Sequence, residues 1–164
     1  MITKVRKRNV TLKNTPITNY FCLLDSRTPK DSYENKEVEY LYSLSDILRS
    51  RKEKLKRNRF SIDVDFLDYN GCISYTPYTN SETDTNGFII TAFAMSVSNG
   101  INYDILKKVF ISLRNWMIRT NQSVAMSSKF YESLNGNKKI ITNLINEIFD
   151  NDECPELVLV HPMK

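Results

Sequence analysis

Glycine is scarce in this chain. Its 164 residues include four glycines, and each follows an asparagine: Asn70-Gly71, Asn86-Gly87, Asn99-Gly100 and Asn135-Gly136. That pattern assigns the whole glycine supply to turns and caps, where a positive φ is needed. Neither a Gly-x-Gly-x-x-Gly nor a Walker-type loop can be assembled from them, so the usual phosphate-cradling signatures are excluded. Histidine is scarcer still. A Ser-His-Asp or Cys-His arrangement would have to use His161, the single histidine, and no local feature marks a nucleophile for it. The three cysteines, Cys22, Cys72 and Cys154, are odd in number and far apart, which argues against a disulfide framework and against a zinc site. No apolar run approaches the roughly 18 residues of a membrane span. The basic residues 1–8 are followed by no apolar segment of the kind that marks a secretory signal. These absences lead to the expectation of a protein that is not secreted, cytoplasmic or within an assembled particle, with no cofactor and no metal.

What is present is ordinary for a folded chain: 41% hydrophobic and 26% charged residues, enough for a sizeable core. The length predicts a single domain over residues 1–164, with residues 1–13 as an arm or edge strand. Asn, Ile, Lys and Tyr are plentiful, and their A/T-rich codons suggest an AT-rich genome such as a phage or a low-GC bacterium. The net charge of +4 hides an asymmetry: residues 1–59 hold 15 Lys and Arg against 7 Asp and Glu, whereas the rest holds 8 against 12. An acidic partner would therefore meet the first third of the chain.

Hydrophobic periodicity organises the remainder around residues 87–119. From Gly87 the chain is apolar on both alternating faces, as in a strand covered on both sides, and it then turns into a helix. That helix carries Ile105, Leu106, Val109, Phe110, Leu113, Trp116 and Met117 on one face. Each of these contributes on the order of 1.5 to 3 kcal/mol if fully buried. Upstream, residues 20–24 read as a strand, residues 37–44 as a second, and Ser45-Asp46 as the start of a helix running to about Arg57. Residues 59–67 alternate, Asn70-Gly71 signals a hairpin, residues 72–76 return, and a polar loop over residues 77–86 leads to the central strand. Downstream, residues 121–128 read as a polar linker. Asn137 caps a helix with the stripe Ile140, Ile141, Leu144, Ile145, Ile148 and Phe149, and residues 157–160 form a last strand. The fold expected from this is α+β: a mainly antiparallel sheet (a meander over 59–97), two principal C-terminal helices packed on it, and a basic helix near 46–57.

The candidate sites are electrostatic. Arg49, Arg51, Lys52, Lys54, Lys56, Arg57 and Arg59 form the most distinctive charged run, interrupted by Glu53. The function expected is a non-enzymatic binding or assembly protein that docks this basic surface on an acidic protein partner, as a member of a larger complex and with no membrane involved. Nucleic acid is the alternative partner, with phosphates on the same cations and Tyr40 or Tyr42 stacking on bases. A second alternative is a Mg²⁺-dependent phosphodiesterase, since Asp63 and Asp65 share a strand face, with Asp68 nearby, and paired carboxylates can hold Mg²⁺. Tyr69, Tyr75, Tyr78 and Tyr103 lie near turns, where a shared exposed surface would favour a protein interface.

Overall fold

The computed structural model describes residues 5–8, 12–23, 40–41, 43–45, 71–92, 94, 101–127 and 136–160. Among the described residues, six strands and two long helices follow in chain order: β1 (Val5–Arg8), β2 (Tyr20–Leu23), β3 (Ile73–Asn80), β4 (Thr85–Ala92), α1 (Tyr103–Thr120), β5 (Val124–Ser127), α2 (Lys138–Phe149) and β6 (Leu157–Val160). They form one sheet of order β1-β6-β5-β2-β4-β3. The pairs β1–β6, β6–β5, β5–β2 and β2–β4 are parallel, and β3–β4 is antiparallel. The architecture is thus a mixed, mostly parallel α/β sheet, which overturns the expected antiparallel meander.

The physical reason lies in the connections. A parallel neighbour needs a long crossover, and the 18-residue α1 and 12-residue α2 supply two of them, β4-α1-β5 and β5-α2-β6. The strands are consistent with this: β2, β5 and β6 are four residues long and buried at every position. Such short, continuously apolar strands belong to sheets covered on both faces. In β5 the stretch Val124-Ala125-Met126 is too brief to stand out, so the linker expected over 121–128 instead contains a central strand, Val124–Ser127.

Local corrections have similar causes. The expected loop over 77–86 is a hairpin: β3 runs through Pro77, which lies opposite Phe88. Proline is tolerated there because β3 is the end strand of the sheet among the described residues. The turn itself is Ser81 to Asp84, with Asp84 at φ 53° and the Glu82 N–H donating to Asn80 Oδ1 at 3.1 Å. In the expected strand over 37–44, Tyr40, Leu41 and Ser43 are helical instead. Gly71 does take a positive φ, 85°. The basic helix near 46–57 and the strand over 59–67 lie outside the described residues.

The helices follow their stripes. On α1, Leu106, Val109, Phe110, Leu113, Trp116 and Met117 are buried; on α2, Ile141, Ile145, Ile148 and Phe149 are buried, and Ile140 stays 41% exposed. Both helices cover one sheet face, where Phe21, Phe110 and Phe149 form an aromatic chain with ring centroids 6.0 and 5.5 Å apart. The other face packs under Leu12, Ile17, Tyr40, Leu41 and Leu44. There Tyr20 stacks on Tyr78 at 6.0 Å and meets the edge of Tyr40 at 6.2 Å.

This tyrosine cluster predicts a high-pH limit to stability. Burial, reinforced by Tyr78, pushes the Tyr20 hydroxyl from 10.0 up to about 12. Burial also raises Tyr78. The unfolded chain therefore releases these protons first. Stability is intact below pH 10 and falls as pH rises from 10 towards 12. Urea midpoints measured from pH 8 to pH 11.5 are expected to fall beyond pH 10 in the parent protein and much less in Tyr20→Phe.

Candidate functional site

Parallel strands joined by helical crossovers bring the start of each helix to the carboxyl end of the sheet, which is where open α/β sheets bind ligands. In this chain that edge carries the ends of β2, β4, β5 and β6 and the first turns of α1 and α2. The strand ends are small where they approach the helices: Ala92, Ala94 and Ser127 are all buried.

Each helix start is built by an asparagine. Asn102 is extended (φ −89°, ψ 108°), and its side-chain oxygen accepts from the N–H groups of Asp104 and Ile105 at 3.1 and 3.2 Å. Its own N–H donates to the Ala94 carbonyl at 2.8 Å, tying α1 to the end of β4. Asn137 repeats the geometry for α2 (φ −86°, ψ 112°), accepting from Lys139 and Ile140 at 3.0 and 3.2 Å. The two starts are joined, because the Asn137 N–H donates to the Tyr103 hydroxyl oxygen at 2.8 Å. The Tyr103 and Lys138 N–H groups are the first amides of α1 and α2.

Charge distinguishes the two starts. Asp104 sits in the first turn of α1, where a carboxylate complements the positive end of the helix dipole. In α2 the first turn has no acid and instead carries Lys138 and Lys139, both exposed. Two cations at the positive end of a dipole are unfavourable alone and favourable beside an anion. An anionic group at this edge is therefore better accommodated at α2 than at α1.

None of the basic site residues read from the sequence is part of this edge as described. Arg49, Arg51, Lys52, Lys54, Lys56, Arg57 and Arg59 lie outside the described residues, as do Asp63, Asp65, Asp68, Tyr42, Tyr69 and His161. The tyrosines do not form one exposed surface: Tyr78 is buried, and Tyr75 stacks on Trp116 at 5.2 Å. Cys22 and Cys154 are buried and Cys72 is exposed, all as thiols. Among the described residues no group of His, Cys, Asp and Glu is arranged to hold a metal, and no helix is long and apolar enough to cross a membrane. Sequence reasoning found the Asn137 cap, marked Tyr103 only as a tyrosine near a turn, and did not single out the lysine pair. The pair had a signal, two lysines directly after a helix-capping asparagine.

No protein-family model and no curated protein matches the chain. Solved structures do. A macrodomain protein from Streptomyces coelicolor superposes with a TM-score of 0.63 at 9% identity, covering 96% of this chain and 99% of that one. The macrodomain of Mycobacterium tuberculosis DarG gives 0.62 at 9% identity, covering 97% and 98%. That of Thermus aquaticus DarG gives 0.61 at 11%, covering 96% and 98%. The fold is the macrodomain fold. Structural neighbours that are macrodomains overturn the expected non-enzymatic, phage-derived binding or assembly protein. In a macrodomain fold the surface to consider is the carboxyl edge of the parallel strands.

Proposed function

We propose that this domain binds ADP-ribose, free or attached to a macromolecule, at the carboxyl edge of its sheet. The observation that carries the reading is the sheet order β1-β6-β5-β2-β4-β3 with the starts of α1 and α2 joined at one end. Macrodomains, proteins that bind or hydrolyse ADP-ribose, superpose on nearly the whole chain. The chemistry of the edge agrees. A pyrophosphate is a double anion that seeks N–H donors and cations, and the edge offers the Tyr103 and Lys138 amides with the Lys138 and Lys139 ammonium groups. The scarcity of glycine bears on how this is done. Close approach of backbone to phosphate usually relies on glycine-rich loops, and with four glycines in the chain more of the attraction falls to lysine side chains and helix amides.

Isothermal titration calorimetry tests the proposal, with ADP-ribose as ligand and AMP as the comparator lacking the second phosphate and distal ribose. The expected result is a Kd on the order of 1 μM for ADP-ribose, about 8 kcal/mol of binding free energy, and AMP at least about tenfold weaker. At one hundred times its Kd, ADP-ribose should stabilise the domain by about 2.7 kcal/mol in thermal unfolding. No heat and no thermal shift at millimolar ADP-ribose overturns the reading.

A further inference from the structure

We draw no further inference here: the strongest candidate, the flank of α1 where the Nε atom of Arg114 is buried without a hydrogen-bond partner among the described residues beside the half-buried Ile111 and Ile118, carries nothing, because nothing in the structure shows what covers it.

Discussion

Replacing Gly87 by alanine is expected to destabilise the protein by about 3 kcal/mol or more, at the upper end of what one added methyl group does in a packed interior. A Cβ built at Gly87 would lie 2.0 Å from the carbonyl oxygen of Thr18 and 2.9 Å from both its carbonyl carbon and the Cε1 atom of Tyr78. The first two are backbone atoms, which cannot swing aside. The Thr18 carbonyl is held in place besides, because it accepts the Tyr78 hydroxyl at 2.6 Å. Relief would require β4 to withdraw from the segment leading into β2, where the register places Tyr20 opposite Ile89. Equilibrium urea denaturation is the measurement: a midpoint within about 0.3 kcal/mol of the parent, after multiplication by the urea slope, would show that the approach is not as tight as described. By its place after an asparagine, Gly87 reads in the sequence as a turn glycine. It lies inside β4 instead, and its role is close approach between neighbouring backbones.

Asn19→Leu should have an effect of similar size, roughly 3 kcal/mol. Asn19 is 4% exposed and stands at the entry to β2 between two other strands. Its side-chain oxygen accepts the Phe88 N–H at 3.0 Å on the β4 side. Its amide nitrogen donates to Gln122 Oε1 at 2.9 Å and to the Ser123 carbonyl at 3.0 Å on the β5 side. Its backbone carbonyl accepts the Ala125 N–H at 2.9 Å. Leucine keeps the volume, breaks the three side-chain bonds and strands the Phe88 N–H and the Ser123 carbonyl in a partly buried place. Leaving such groups unpaired costs about 1 to 3 kcal/mol each, more than the bonds themselves contribute. Retention of parent stability in Asn19→Leu, by the same urea assay, would show that water replaces the lost partners. Because Thr18 and Asn19 are neighbours acting on Gly87 and Phe88, the double variant with Gly87→Ala should lose less than the sum of the two.

Both residues bear on what could be read without coordinates. Asn19 appeared as one polar residue before an apolar run, and nothing local says that its amide reaches Gln122, 103 positions away. Tyr103 likewise appeared as a tyrosine near a turn; its hydroxyl acquires meaning only when Asn137 is brought beside it. The lysines after Asn137 were legible as charge but not as a site, because the sequence does not say which helix starts share an edge. The basic run from Arg49 to Arg59 drew attention through sheer density of charge, and charge density reports how a segment meets solvent or a partner without reporting the fold that presents it.

The sequence by itself determined the local elements whose signal is periodic: the buried faces of α1 and α2, the Asn137 cap, the apolar strands β2 and β6, and the strand at Ile89 to Ala92 covered on both sides. These follow from side-chain spacing along one segment, and a segment carries its own period wherever it sits. Only the tertiary structure decided which strands pair and in which direction. Pairing is a non-local choice, and a four-residue apolar strand is compatible with either a parallel or an antiparallel neighbour. The long crossovers through α1 and α2 settle that choice towards parallel. With it they place the helix starts, and the candidate site, at one edge of the sheet.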